Sequence, residues 1–120
     1  MFDHIGLRVT DLAASARFYA AALAPLGYAV CSRDDTSVGI GPPEAPALWL
    51  HRAPPGGGSG THVALHAPDR AAVARFHTAG LAAGGRDNGA PGLRADYAPT
   101  YDAAFLTDPD GNNIEAVCTD

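Results

Sequence analysis

The chain has 120 residues, 47% of them hydrophobic and 18% charged, and a formal net charge of −5 that comes from eight arginines, no lysine and thirteen acids. That is enough chain for one compact domain with a real core. It has no basic cluster for nucleic-acid phosphates and no run near the eighteen or so apolar residues that a membrane span needs.

The opening "MFDHIGLRV" shows no basic stretch followed by an apolar one, so no signal peptide is predicted and a cytoplasmic location is expected. Cys31 and Cys118 have no CxxC spacing and are expected to be buried thiols, not a disulfide. Within residues 2–9, Ile5, Leu7 and Val9 alternate with His4, Gly6 and Arg8, which predicts a strand with one apolar and one mixed face. Asp11 then caps an Ala-rich helix that closes near Gly27. Three short strands follow, over 28–33, 36–40 and 47–52. The Pro- and Gly-rich "APPGGGSG" (53–60) reads as a linker.

Beyond the linker the pattern repeats. Shifted by 58 residues, "HIGLRVTDLAASARFYAAALAPLG" (4–27) lies over "HVALHAPDRAAVARFHTAGLAAGG" (62–85), with half of the 24 positions identical. His4 meets His62, Asp11 meets Asp69, Arg17-Phe18 meets Arg75-Phe76 and Gly27 meets Gly85. The second copy therefore opens with a strand in which Val63 and Leu65 face one way and His62, Ala64 and His66 the other. Asp69 caps its helix. An irregular stretch (86–99) with room for one short strand comes next, then a strand over 101–107. The turn Asp-Pro-Asp-Gly-Asn (108–112) leads into a final strand, "NIEAVC". The chain is thus a single domain of two β-α-β-β-β modules, about 1–52 and 61–120, in the α+β class.

An amphipathic helix needs a sheet face to lie on, so the apolar side of each opening strand should cover its own helix. The other side carries His4 and His62. In the last strand Ile114, Ala116 and Cys118 form the helix-facing set, leaving Asn113, Glu115 and Val117 with the histidines. A lone strand histidine or glutamate is ordinarily a packed or solvated residue. Two histidines in register across a duplication, with a carboxylate on the same face, form a ligand set for one divalent ion of the Zn, Fe, Mn or Ni kind.

With these residues placed, the sequence resembles the vicinal oxygen chelate superfamily, which includes glyoxalase I, bleomycin-resistance proteins, extradiol dioxygenases and fosfomycin-resistance thiol transferases. The resemblance covers the whole chain and rests on "DHIGLRVTDLAASARFY", "THVALHAPDRAAVARF" and above all "AAFLTDPDGNNIEAV". It implies paired modules whose mixed sheet curls, open, around a central cavity, with helices outside. It implies metal ligands at His4, His62 and Glu115, and it puts Trp49 at the family's fourth ligand position. Trp49 cannot bind a metal, which departs from glyoxalase I proper. Phe105 stands near the tyrosine of the dioxygenases and lacks its hydroxyl.

Tyr101 and His66 are the candidate proton carriers. Trp49, Arg8, Tyr97 and Phe105 are candidate pocket residues, with Arg8 and His66 able to meet an anion or simply to form a solvated rim. His51 is expected at an exposed strand end, and His77 in a structural role. Two functions stay open: a metal-dependent enzyme acting on a small oxygen-bearing substrate, and a metal-independent module that sequesters a small molecule. The modules either close one site within a chain or exchange across a homodimer.

Overall fold

The computed structural model describes residues 1–55 and 60–120; the middle of the expected linker, 56–59, lies outside the described residues. Module 1 comprises β1 (Ile5–Val9), α1 (Leu12–Leu23) with a short 3-10 turn after it (Ala24–Leu26), β2 (Ala29–Arg33), β3 (Ser37–Gly41) and β4 (Leu48–Arg52). Module 2 comprises β5 (His62–His66), α2 (Arg70–Ala82), β6 (Arg86–Leu93), β7 (Asp102–Thr107) and β8 (Asn113–Cys118). Each module forms a four-stranded mixed sheet, in the orders β1-β4-β3-β2 and β5-β8-β7-β6. The opening strand runs parallel to the last strand of its own module in both. Among the described residues no strand pair joins the two sheets, so the barrel is open. Among the described residues no helix is long and apolar enough to cross a membrane.

The caps fall where the sequence puts them. The carboxylate of Asp11 accepts the N–H of Ala14 at 3.0 Å, and that of Asp69 accepts the N–H of Ala72 at 2.7 Å, each satisfying a donor that the first helical turn leaves free. Gly27 ends the first helical segment at φ 94°, a left-handed conformation that glycine adopts without steric cost.

One apolar core unites the modules. Phe18, Tyr19, Leu23, Val38, Ile40 and Leu50 of module 1 are buried in the same cluster as Val73, Phe76, Leu106 and Ile114 of module 2. Burial of each large side chain contributes about 2–3 kcal/mol. The two helices pack on each other as well as on their own sheets. Gly80 of α2 permits both contacts: a Cβ there would stand 2.2 Å from Leu106 Cδ1 in β7 and 3.3 Å from Ala22 Cβ and Phe18 Cε1 in α1. Ile114, Ala116 and Cys118 face this core, as the alternation predicts. The opposite faces are more open: His4, Gly6, Arg8, His62, Ala64 and His66 are all exposed.

The turn 108–112 joins β7 to β8 and also clasps the modules. Asp108, 3% exposed, accepts the backbone N–H groups of Asp110 and Asn112 and the side-chain amide of Asn112. From module 1, the Tyr19 hydroxyl donates to Asp108 Oδ2 at 2.5 Å, the oxygen that also accepts the Asn112 amide. Asp110 in turn accepts the Thr10 N–H at 3.0 Å and the Ser15 hydroxyl at 3.4 Å, so the turn docks on the start of α1.

The stretch 86–99, read from sequence as irregular, holds the eight-residue β6. Its pairing with β7 slips at Asp87/Gly89 and again at Gly89/Gly92. Those bulges accommodate the glycines and Pro91 within a strand.

Candidate functional site

The helix-free face of module 2 carries a compact polar cluster. His62 opens β5, and Glu115 stands at the middle of β8, the strand paired with it. Nε2 of His62 lies 2.9 Å from Oε1 of Glu115, while the Tyr101 hydroxyl donates to Oε2. Glu115 is 2% exposed, so its carboxylate is shielded from water, and its two oxygens are engaged by one imidazole and one hydroxyl. His62 remains half exposed. Hydrogen bonding to Glu115, followed by burial and by the carboxylate charge, pushes the Tyr101 hydroxyl up to about 12. Tyr101 is therefore a neutral donor throughout the physiological range.

Aromatic rings frame this cluster. Phe105 is the cross-strand partner of Glu115, and its ring centroid lies 6.4 Å from that of His62. Tyr97 packs edge-on against Tyr101 at 5.2 Å. Arg94, which follows β6, sits with its guanidinium carbon 5.4 Å from the centroid of Phe105. Reading the sequence did not single out Arg94. Its one local signal is that Gly89 and Gly92 precede it, leaving the space its guanidinium fills, since a Cβ on either would meet Arg94 nitrogen at 3.3–3.4 Å.

The helix-free face of module 1 is built differently. Trp49 occupies in β4 the position that Glu115 occupies in β8, since Gly6 pairs with Trp49 and Ala64 with Glu115. The indole lies over Gly39 of the next strand, where a Cβ would stand 2.8 Å from ring carbons. The exposed His51 ring covers Gly6 and stacks with the indole at 6.5 Å between centroids. His4 is exposed and pairs with its neighbour Asp3, Nδ1 to Oδ1, at 2.6 Å.

His62 and Glu115 thus come together, joined by Tyr101, and Phe105 and Tyr97 adjoin them. His4 does not join them: among the described residues no three histidine, cysteine, aspartate or glutamate side chains cluster as a metal group within one chain. Arg8 and His66 lie exposed at equivalent positions on the helix-free faces. His77 bonds Asp87 at 2.9 Å, a structural pairing at the base of β6. Cys31 and Cys118 are free thiols; Cys118 is buried and Cys31 half-buried. A separate cavity of about 270 Å³ opens between the modules, lined mainly by apolar residues such as Leu23, Ile40, Leu48 and Val63, and by none of His62, Tyr101 or Glu115.

This arrangement has solved relatives. A glyoxalase/bleomycin resistance protein from Albidiferax ferrireducens T118 is 31% identical, with a TM-score of 0.78 over 98% of this chain and 97% of that one. An E144Q glyoxalase I mutant from Zea mays is 25% identical, with a TM-score of 0.71 over 95% of this chain but 45% of that longer one. A bleomycin resistance determinant encoded on the transposon Tn5 shares the fold at 21% identity and a TM-score of 0.65, over 96% and 94% of the two chains. No curated protein matches the sequence. The family model for the Glyoxalase/Bleomycin resistance protein/Dioxygenase superfamily matches residues 1–116, and the chain belongs to that superfamily.

Proposed function

We propose that this protein is a small metal-dependent enzyme acting on a substrate with adjacent oxygens, at a site that two copies of the chain build together. The observation that carries the reading is the His62–Glu115–Tyr101 cluster. It supplies one imidazole and one shielded carboxylate on an accessible face, the donor types that suit Zn, Fe(II), Mn or Ni. Two protein ligands are too few for a stable open site. The third, His4, stands on the matching face of module 1, exposed and apart from the cluster. A second copy that brought its His4 against His62 and Glu115 would complete the set.

In such a site His62, Glu115 and the partner's His4 would hold the ion, whose bound form supplies Lewis acidity toward adjacent substrate oxygens. The chain's own groups do the rest. Tyr101 keeps its proton at neutral pH and fixes the orientation of the Glu115 carboxylate. Phe105 and Tyr97 give an apolar, partly water-excluding wall. His66 stands exposed further along the same face of β5, as the candidate proton carrier. Trp49, without a metal-binding atom, leaves the site at three protein ligands, so isomerisation of the hemithioacetal of methylglyoxal and glutathione should be negligible.

Mixing two disabled chains tests the shared site. His4→Ala and Glu115→Ala proteins should each bind no metal. Co-refolded, they should regain about a quarter of the wild-type sites, because half the dimers are mixed and each mixed dimer holds one intact site. No recovery, with dimers formed, would exclude a site built between chains.

The second reading, sequestration without turnover, is favoured by the mainly apolar cavity of about 270 Å³ between the modules, which none of His62, Tyr101 or Glu115 lines. The ligand that raises the melting temperature most should then be recovered chemically intact after long incubation, and it should bind metal-free protein equally well.

A further inference from the structure

We propose that Arg94 is an anion-binding residue at the edge of the site, selecting substrates that carry a carboxylate, phosphate or phosphonate group beyond the oxygens a metal would hold. The inference rests on the proposed function for the role of the neighbouring cluster. It rests on the arginine's own surroundings for its chemistry.

Arg94 alone of the eight arginines is not exposed. Its guanidinium is braced by two backbone carbonyls, Nη1 donating to Gly92 O at 2.8 Å and Nη2 to Ala90 O at 2.7 Å. The backbone N–H of Arg94 donates to Tyr101 O at 2.7 Å, tying the residue to the start of β7. Among the described residues no carboxylate lies within ion-pair distance of it. Glu115, the acid opposite the Phe105 ring that Arg94 covers, is already engaged by His62 and Tyr101.

A guanidinium has five N–H donors and never loses its charge in a protein, so two neutral carbonyls leave three donors and most of the charge unanswered. The carbonyls and the ring face hold the guanidinium in place before anything binds. An anion arriving there loses little affinity to side-chain ordering. Beside it opens a hollow of about 350 Å³ lined by Asn88, Gly89, Arg94, Tyr97, Phe105 and Asn113. Asn88 donates to Asn113 at 3.2 Å and keeps a second amide proton for a ligand. A substrate seated in this hollow, beside Phe105, would thus have Glu115 and His62 on one side and the cation on the other.

A purely structural arginine would staple the β6 bulge through the same two carbonyls, and binding separates that role from the proposed one. Benzoate and its neutral isostere benzamide are titrated into chelator-treated full-length protein, where no metal competes for the carboxylate. Binding is followed by calorimetry and by the arginine Nε–Hε signals in NMR. Benzoate should bind at least about tenfold tighter than benzamide, in line with a charge-assisted hydrogen bond, and should move the Arg94 signal. Arg94→Gln should remove that preference. Arg94→Lys should keep part of it, and it also serves if the glutamine variant fails to fold. Equal binding of the two probes, or a benzoate preference that survives Arg94→Gln, would overturn the proposal. Metal content, measured separately, judges the proposed function: benzoate selectivity in a protein that never takes up metal would uphold Arg94 and sink the metal site.

Discussion

The two modules repeat one plan and use its centre in opposite ways. At the middle of module 1's sheet, Trp49 on the last strand faces Gly39 on the strand before it. At the same place in module 2, Glu115 faces Phe105. The bulk has changed strands. Where the ring grows from the last strand, the position that could hold a metal is lost and a glycine makes room. Where the ring grows from the neighbouring strand, the last strand keeps a carboxylate, and the ring helps shield it. Duplication thus preserved the sheet and let the chemistry of its two halves diverge.

The largest expected effect tests that divergence directly. Glu115→Gln should lower metal affinity by about a hundredfold or more, because it removes the only anionic ligand. Trp49→Ala should leave affinity nearly unchanged. Equal losses in the two variants, measured by competition with a chromogenic chelator, would erase the distinction between the modules.

The next effect lies at the clasp between them. Tyr19→Phe removes one hydrogen bond to buried Asp108, which keeps its three donors from Asp110 and Asn112. The cost should be about 1.5–3 kcal/mol in urea unfolding, the range for a bond to a charged group. Burial first, then the charge and hydrogen bond of Asp108, hold the Tyr19 hydroxyl far above its ordinary value of 10.0. The folded state therefore keeps this proton more tightly than the unfolded chain. Stability from it is complete below pH 10 and falls as the pH rises further. Tyr19→Phe should flatten that alkaline decline, and an unchanged slope would show that Tyr19 does not cause it.

Gly39→Ala probes the exchange of bulk. A Cβ there meets the indole at 2.8 Å and Pro46 at 3.1 Å, which should cost about 1–3 kcal/mol. The same substitution in a Trp49→Ala background should cost clearly less, since the indole is gone. Additive losses in the double-mutant cycle would mean that the glycine serves something other than the ring.

Much of this was legible in the sequence, for local reasons. The repeat shows through because His, Asp, Arg-Phe and Gly coincide at one offset, and period-two alternation alone places Glu115 on the sheet face of His62. Period two also puts Tyr101, just before β7, on the same side as Phe105 within it. The sequence left room for only a short strand in 86–99, because Gly89, Pro91 and Gly92 read as a loop; bulged pairing with β7 extends it to the eight residues of β6. The separation of His4 from His62 was hidden more deeply. Alternation tells which face of a strand a residue occupies, but not how two modules are set against each other. That depends on the Tyr19–Asp108 contact and the close helix packing at Gly80. Arg94 gave only the two preceding glycines as a signal, because backbone carbonyls and a ring from another strand define its place.

The smallest effect sharpens the comparison at the helices. His77 in α2 is the counterpart of Tyr19 in α1, offset by 58 residues. Tyr19 reaches across to the other module and is fully buried, whereas His77 pairs with Asp87 of its own module. That pair is wet on one side, since the Asp87 side chain is 59% exposed. The His77 hydrogen bond, with the Gly89 N–H, holds the Asp87 carboxyl below its ordinary range. What stability this gives is present above that range and fades as the pH falls into it, so it is intact at neutral pH. Water can replace an exposed partner, however, and exposed ion pairs add little. His77→Ala should therefore lower the melting temperature at pH 7 by less than Tyr19→Phe does. It should also leave the alkaline slope untouched, because no tyrosine proton is involved. A larger loss from His77→Ala would mean that the base of β6, not the clasp at Asp108, is where the modules depend on their helices most.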